Sequence, residues 1–290
     1  MGRSPISLFT GGYPLAGLSR KPSAGAGLRQ TKTRPTTRRV STTKPQILAS
    51  HVVSGLWLAD LPVELPFLIY ASFLIRGSLP RGSLRSRQSG SVSPWAGSVQ
   101  EGSGWTFVTG TSVVPSVYNQ GNAGAATWVG IDGENCGNAI IQTGFTNWGD
   151  GAVETWYEWW PKPSYTYSGV SARAGDTIRM SVWAYGTRNG KVLLENLTSG
   201  QYDYRTFSNM NAQLCLTDAE WIVEQFTDTS SGNHVYLADF GTIDITSTQA
   251  KGNRGTVGAD GGNIVEIYDG NEQMTSCGTN QYGVECRHIG

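Results

Sequence analysis

The stretch Thr177–Ala184, with the sequence TIRMSVWA, alternates apolar residues with other residues at a period of two. This period puts Ile178, Met180, Val182 and Ala184 on one face. Such a pattern is typical of an antiparallel strand that has one face in a core and the other face in water.

Short runs of the same β-forming character recur through the last two-thirds of the chain, separated by Gly, Asn, Asp or Ser. A helical period of 3.6 residues is almost absent. Many short strands at this density predict an all-β sandwich or barrel of about 200 residues, folded as one domain with a substantial core. The other predicted strands are Trp105–Val114, Thr127–Ile131, Ala139–Thr143, Glu154–Trp160, Ala219–Phe226, Val235–Phe240 and Asn263–Tyr268.

The composition excludes two classes of protein. With 38% apolar and 10% aromatic residues, the 290-residue chain is too hydrophobic to be wholly disordered. It contains no run of about 18 uncharged apolar residues, so the sequence predicts no transmembrane helix and no membrane partner.

The net charge of zero hides two segments of opposite charge. Residues 1–90 contain 13 Lys and Arg against 2 Asp and Glu, a net charge of +11, whereas residues 91–290 contain 9 against 20, a net charge of −11. The first segment is rich in Ser, Thr, Gly, Pro and Arg, which predicts a disordered basic leader or pro-segment ahead of an acidic β domain. Its start lacks the apolar core of a secretory signal. Two interpretations explain this equally: a mispredicted gene start, or a true leader whose apolar part lies near Phe67–Ile75.

All four cysteines lie in the acidic segment, and an even number there is typical of an exported domain. Cys277 and Cys286 flank a Gly-containing turn, which favours a disulfide across a hairpin, and Cys136 would then pair with Cys215. Four free buried thiols are the alternative. The sequence has no CxxC motif and its three histidines stand alone, so we expect no metal site.

Several common functional motifs are missing from the sequence. It contains no GxSxG elbow, no phosphate-binding P-loop and no HExxH zinc motif. The basic leader raises the question of nucleic-acid binding, but the domain that follows is acidic and lacks a basic stripe with interleaved aromatic residues. We therefore expect no nucleic-acid partner.

The predicted strand Ala219–Phe226 places Glu220, Ile222, Glu224 and Phe226 on one face. A glutamate between apolar neighbours on one face is unusual, because an ionised carboxylate is seldom buried without a partner. Spacing alone supports equally an edge strand whose two glutamates are solvated.

Two further segments place polar groups among apolar ones. Gln142 follows three apolar residues and precedes a turn, where an amide often satisfies a backbone group. In Trp156–Pro161 (WYEWWP), Glu158 lies in a ladder of aromatic residues. A strand surface with so much tryptophan is either part of a core or a groove that binds peptide or sugar.

Five motifs, taken in their order along the chain, resemble those of the eqolisins, the fungal glutamic endopeptidases that act in acid. The similarity begins near Pro94 and extends to the C-terminus, so it covers about two-thirds of the chain. The motifs are WVGIDG at Trp128–Gly133, AIIQTG at Ala139–Gly144, WYEWWP at Trp156–Pro161, ENLTSG at Glu195–Gly200 and AEWIVE at Ala219–Glu224.

This resemblance implies a lectin-like (concanavalin A-like) sandwich of two large antiparallel sheets, with substrate lying across the concave sheet. It implies a catalytic dyad of Gln142 and Glu224, a disulfide between Cys136 and Cys215, and a basic pro-segment that is removed on maturation. We accordingly expect a secreted monomer that acts on polypeptides and needs no cofactor. The site-lining residues carried over by the resemblance are Trp95, Trp128, Asp132, Glu158 and Phe226.

Two positions near the dyad depart from the family pattern. Thr146 stands where relatives carry an acidic residue, and Gln225 replaces an Asp beside the catalytic Glu. Both changes bear on the pH optimum and on subsite preference more than on activity itself.

A Gln and Glu pair suits peptide hydrolysis in acid. Histidine is protonated near pH 3–4, whereas Glu, with an ordinary pKa of about 4.3, still exchanges protons. Glu224 would take a proton from the attacking water and pass it to the departing amine, while the amide of Gln142, which does not titrate, would stabilise the oxyanion. Pepstatin traps paired aspartates and should not inhibit such a site. The basic leader would lie on the acidic domain as an intramolecular inhibitor.

Other interpretations use the same residues. A carbohydrate-binding or glycoside-hydrolysing lectin-like sandwich would use the tryptophan groove, with Glu158 and Glu224 as its two carboxylates. A non-catalytic binding module is a third interpretation. Asn196-Leu197-Thr198 is either a glycosylation sequon of an exported chain or a plain β-turn.

Overall fold

The computed structural model describes residues 93–227 and 235–290, so the predicted leader lies outside the described residues. All regular secondary structure in the described part of the chain is β-strand, which confirms the predicted fold class, and no helix there is long and apolar enough to cross a membrane. The strands are β1 Trp95–Glu101, β2 Phe107–Val113, β3 Gly124–Ile131, β4 Ile140–Trp148, β5 Val153–Trp160, β6 Tyr165–Thr166, β7 Thr177–Ala184, β8 Gly190–Asn196, β9 Gln201–Phe207, β10 Asp218–Glu224, β11 Thr242–Gly252, β12 Gly255–Val257, β13 Asn263–Val265, β14 Tyr268–Asp269, β15 Glu272–Gln273, β16 Thr275–Asn280 and β17 Gly283–His288.

Two large antiparallel sheets form the sandwich. One has seven strands in the order β13-β1-β10-β3-β4-β5-β6, and the other has eight, with the path β16-β17-β11-β2-β7-β8-β9 and with β12 paired to β11. The strands β14 and β15 form a separate small hairpin. One hydrophobic core is built from both sheets, with Val129, Ile141 and Trp221 from the seven-stranded sheet and Met180 and Leu194 from the other.

Trp221 joins the two sheets directly. Its indole Nε1 donates to the carbonyl of Thr109 on β2 at 2.8 Å, and its ring is fully buried. The ring packs over Gly110, where an added Cβ would lie 3.0 Å from Cδ1 of the indole. A side chain larger than hydrogen at 110 would therefore push the sheets apart.

The predicted strand Thr177–Ala184 matches β7 residue for residue, and its four alternating apolar side chains are buried as expected. The predicted strand Val235–Phe240 is wrong: this segment makes a single bridge, between Leu237 and Gly124. Its alternation arises because Ala238 and Phe240 point into the core without a neighbouring strand.

The predicted strand Asn263–Tyr268 is also interrupted. It splits into β13 and β14, because Glu266 turns inward and accepts hydrogen bonds from the hydroxyl of Thr275 at 2.7 Å and the backbone N–H of Cys277 at 2.8 Å. A buried carboxylate that is satisfied by a neighbouring strand takes this residue out of the ladder.

The structure contains two disulfides and no free cysteine. Cys136 and Cys215 join the β3–β4 loop to the segment that precedes β10, across 79 residues of sequence. Cys277 and Cys286 face each other across the β16–β17 hairpin. The first disulfide ties together two loops at one end of the seven-stranded sheet.

The sequon at Asn196 is a buried structural element. The side chain of Asn196 is 1% exposed, and its Nδ2 donates to the carbonyl of Ser171 and to the carboxylate of Asp176, both at 2.8 Å. Its Oδ1 accepts the backbone N–H groups of Thr198 and Ser199. Both polar atoms are committed, so the folded domain has no room for a glycan on this nitrogen.

Candidate active site

The outer face of the seven-stranded sheet gathers the predicted site residues from adjacent strands. The register pairs Gln142 with Glu158 across β4 and β5, and pairs Glu224 with Trp95 across β10 and β1. Trp128 lies on β3, the strand between β10 and β4, and its side chain is on the same face of the sheet. The strand β10 is central, so the edge-strand interpretation of its glutamates is wrong.

Gln142 and Glu158 are joined by a short hydrogen bond. The amide Nε2 of Gln142 donates to Oε2 of Glu158 at 2.6 Å, and both side chains are fully buried. Oε1 of each residue has no hydrogen-bond partner among the described residues. The pair therefore combines a fixed amide with polar atoms that remain available to a bound molecule.

Glu224 is held by tryptophan. The indole Nε1 of Trp128 donates to Oε2 of Glu224 at 2.8 Å, and Oε1 has no partner among the described residues. The ring of Trp95 stands edge-on to that of Trp128, with centroids 5.0 Å apart. An indole N–H cannot titrate, so this support of the carboxylate is the same at every pH.

Two glycines allow Trp128 to lie flat on the sheet. A Cβ at Gly130 would come 2.8 Å from the indole and 3.3 Å from Cβ of Gln142, and a Cβ at Gly144 would come 2.6 Å from Cβ of Trp128. Both contacts are too close for a side chain. The indole of Trp128 thus lies over Gly130 of its own strand, and its Nε1 reaches Glu224 on the adjacent strand β10.

Burial shifts the acid–base equilibria of these carboxyl groups. It raises the pKa of Glu158 to about 8, against a smaller opposing effect of the hydrogen bond from Gln142. It also raises the pKa of Glu224 well above its usual range, and the nearby charge of Glu158 adds to the rise, while hydrogen bonding from the indoles of Trp128 and Trp95 opposes it.

Glu220 is a third buried carboxyl group on this face. Its Oε1 accepts the backbone N–H of Glu134 at 3.3 Å, and its Oε2 has no partner among the described residues. Burial raises its pKa well above the usual range, and the charges of Asp218, Glu134 and Asp132 add to this effect. The sequence pattern placed Glu220 on the same face as Glu224 but assigned it no role.

Asp132 is engaged by the backbone. Its carboxylate accepts the N–H groups of Cys215, Leu216, Thr217 and Asp218 at 2.7–3.3 Å. It therefore holds the loop that precedes β10, next to the disulfide, and a contact with substrate stays a prediction. Burial raises its pKa despite these hydrogen bonds.

Phe226 follows β10 and belongs to the apolar part of the site. It lies in one buried cluster with Trp95 and Trp128 and packs edge-on to Trp148, at 5.3 Å between centroids. The structure thus brings Trp95, Trp128 and Phe226 together on one face. Their contact with a substrate remains a prediction.

The two departures from the family pattern lie in different environments. Thr146 is fully buried on the site face, and its hydroxyl accepts the indole N–H of Trp156 at 3.0 Å. The amide of Gln225 donates to the carbonyl of Val235 at 3.0 Å. Only Thr146 adds to the polar surface beside the dyad.

Sequence reasoning missed two features of this face. It treated Gln142 and Glu158 as separate candidates, although they are register partners. It also did not expect Trp128 to hold Glu224. The glycines of β3 and β4 leave space over the sheet for a large side chain, and this feature of the sequence could have suggested the contact. Within residues 93–227 and 235–290, no group of His, Cys, Asp and Glu side chains is arranged to hold a metal ion.

A sequence profile of the peptidase A4 family matches residues 93–288. The chain belongs to this family. Scytalidopepsin B from Scytalidium lignicola is 34% identical over 216 residues, which are 72% of this chain and 83% of that protein. Aspergillopepsin-2 from Aspergillus niger is 37% identical over 207 residues, which are 63% of this chain and 73% of that protein.

Solved structures agree with this assignment to the peptidase A4 family. The crystal structure of scytalido-glutamic peptidase with a transition-state analog inhibitor is 37% identical and has a TM-score of 0.66, over 68% of this chain and 98% of that one. Aspergilloglutamic peptidase from Aspergillus niger is 35% identical, with a TM-score of 0.55 over 58% and 100% of the two chains. The resemblance to eqolisins is confirmed, and the chain is a glutamic-type peptidase.

Proposed function

We propose that this protein is an acid-active, pepstatin-insensitive glutamic endopeptidase that hydrolyses peptide bonds in proteins, with Glu224 as general base and acid and Gln142 as the oxyanion donor. The observation that carries the proposal is the position of these two side chains on one face of the sheet, on either side of Trp128. A carboxyl group and a neutral amide beside one tryptophan are suited to a proton transfer and to the stabilisation of a developing negative charge.

Glu224 would work in two steps. Its carboxylate takes a proton from a water molecule as the oxygen of that water attacks the peptide carbonyl. The protonated acid then gives the proton to the nitrogen of the departing amine as the carbon–nitrogen bond breaks. Burial raises the pKa of Glu224, which makes the ionised form a stronger base, and the hydrogen bond from the indole of Trp128 opposes that rise.

Gln142 would stabilise the tetrahedral intermediate. One N–H of its amide is committed to Glu158, and the second N–H is available to the oxyanion. A well-placed donor of this kind lowers the barrier by about 3 kcal/mol. Because the amide does not titrate, it keeps its role in acid, where a histidine would be charged.

The test is digestion of a denatured protein between about pH 2 and 5 with pepstatin present, in the ordinary acid range of Glu. The full chain should cleave, because protonation of carboxylates in acid weakens the attraction between residues 91–290 and the basic leader. Gln142→Ala and Glu224→Ala should each lower kcat by about 10²-fold or more. The exposed residues Gln249 and Glu272 supply matched controls, whose alanine variants should keep full activity. Full activity in either dyad variant would contradict the proposal.

The same preparations separate the carbohydrate interpretation from peptidase activity. A glycosidase would release reducing sugar from polysaccharide and would tolerate Gln142→Ala better than Glu158→Ala. A binding module would cleave neither substrate. The peptidase A4 assignment favours cleavage of protein alone.

We further propose that the domain is exported and that its leader is an intramolecular inhibitor. Two disulfides support export, because such bonds persist in oxidising compartments. The charges of +11 on residues 1–90 and −11 on residues 91–290 support the inhibitory role. A peptide of residues 1–90 should inhibit the mature domain near pH 6 at low salt, and a lack of inhibition would rule the role out.

A further inference from the structure

We propose that Glu158 is a positioning residue for Gln142, that it acts only while it is protonated, and that its ionisation sets the high-pH limit of activity. This inference rests on the proposed function of the Gln142–Glu224 dyad. It concerns a hydrogen bond and a proton that the dyad chemistry itself does not require.

The geometry of the pair supports a positioning role. Gln142 and Glu158 are register partners on adjacent strands, so their Cβ atoms face each other on the same side of the sheet. The 2.6 Å hydrogen bond uses one amide N–H and fixes the rotation of the amide group. The remaining N–H is thereby held in one direction, which is what a preorganised oxyanion donor needs.

Three observations support a neutral Glu158. The side chain is fully buried, no salt bridge within residues 93–227 and 235–290 includes it, and its one hydrogen-bond donor is a neutral amide. A buried carboxylate without a cation is costly, so the proton stays on. In agreement, burial raises the pKa of Glu158 to about 8.

The carboxyl groups of Glu158 and Glu224 are coupled through their charges. The charge of either one opposes ionisation of the other, so the pair keeps a proton as pH rises. Each carboxyl group accepts one hydrogen bond from a group that does not titrate: Glu224 from the indole of Trp128 at 2.8 Å, and Glu158 from the amide of Gln142 at 2.6 Å. In the proposed cycle Glu224 is the ionised member of the pair and Glu158 is the member that holds the proton, so that the amide of Gln142 faces a neutral group.

Ionisation of Glu158 would then stop the reaction. A carboxylate at 158 puts negative charge within one hydrogen bond of the amide that must receive the oxyanion, and like charges oppose each other strongly in a buried site. The active form is thus the one below the pKa of Glu158. The charged or polar groups that face Glu158 from the elements around it are Gln142 on β4, Glu224 on β10 and, along its own row of the sheet, Glu220 on β10.

The experiment compares Glu158→Gln with Glu158→Met in the mature domain, measuring kcat and KM for a peptide substrate from about pH 2 to 9. Glu158→Gln keeps a neutral acceptor for Gln142, so it should retain kcat in acid within about threefold, and its high-pH limb should move up by about one pH unit or more. Glu158→Met removes the acceptor at similar length and should lower kcat by about 10²-fold with little change in KM.

Glu154→Gln is the matched control, because Glu154 lies on the same strand and face as Glu158 and its carboxylate accepts a hydrogen bond from the hydroxyl of Thr166. It should leave kcat and the high-pH limb unchanged. Melting curves check that each variant folds, and if Glu158→Met does not fold, the pH profile of Glu158→Gln decides alone.

Two results would overturn the inference: a high-pH limb in Glu158→Gln that coincides with that of the wild type, or full kcat in folded Glu158→Met. If Gln142→Ala is inactive while both Glu158 variants behave as the wild type, only the role of Glu158 fails. If Gln142→Ala is fully active, the dyad itself fails.

Discussion

The two faces of the seven-stranded sheet both carry fully buried side chains but differ in chemistry. The inner face carries Val129 and Trp221 and packs on the other sheet, whereas the site face carries Gln142, Glu158 and Glu224. Burial of apolar surface stabilises a fold, and burial of carboxyl groups destabilises it. In the same strands, burial of apolar side chains on the inner face therefore offsets the free energy that buried carboxyl groups cost on the site face.

The largest expected effect comes from breaking the inner face. Trp221→Ala removes a fully buried ring and its hydrogen bond to Thr109, so the free energy of unfolding in acid should fall by about 3–5 kcal/mol. The control is Trp183→Ala on β7, because Trp183 is only partly buried and its loss should cost less. Urea denaturation measures both, and a loss for Trp221→Ala no larger than for Trp183→Ala would contradict the comparison.

The inner face is the part of the molecule that the sequence predicted best. Alternation of apolar residues is a direct consequence of strand geometry, so β7 could be located to the residue from Ile178, Met180 and Val182. Alternation does not report pairing, however. The segment around Ala238 has the same pattern and no partner strand, because its apolar side chains reach the core from an extended loop.

The sequence predicted which residues belong to the site face, but not which of them are in contact. Family resemblance brought Gln142, Glu158 and Glu224 to the list of candidates, and strand period put Glu220 and Glu224 on one face. The order of strands, which makes β4 and β5 neighbours and leaves β3 between β4 and β10, depends on long-range pairing that a single sequence does not encode locally. The 2.6 Å pair of Gln142 and Glu158 follows from that order.

A smaller effect, of opposite sign, is expected from neutralising a carboxyl group on the site face. Folding raises the pKa of Glu220 above the ordinary value of about 4.3. Protonation of Glu220 therefore contributes stability that is fully present below about pH 4.3, and this stability is lost as pH rises through the pKa of the folded state. Glu220→Gln is neutral at every pH. Its free energy of unfolding should exceed that of the wild type by about 1–3 kcal/mol near pH 7, with little difference near pH 3.

Denaturation at the two pH values measures this difference, and the exposed Glu272 provides the control variant Glu272→Gln. A stabilisation of equal size at both pH values would mean that shape, and not charge, explains the effect. Such a result would mean that the charge of Glu220 does not destabilise the site face.

The smallest expected effect adds a charge to the site face and leaves the fold in place. Thr146 lies in the same row of the sheet as Glu224, with Ala126 as the residue between them, and accepts the indole N–H of Trp156. In Thr146→Asp, that N–H favours an ionised Asp, which then opposes ionisation of Glu224. Because Glu224 must be ionised to act as the base, the acid limb of kcat/KM should move up by about half to one pH unit.

Thr146→Asn has the shape of the Asp variant without its charge, so it separates electrostatics from packing. The Asn variant should keep the acid limb of the wild type, and pH profiles of all three proteins on one peptide substrate provide the measurement. If the Asp and Asn variants move the limb equally, repacking around Trp156 explains the shift. If only Asp moves it, the neutral residue at 146 is one reason why Glu224 can ionise on a face where water is scarce.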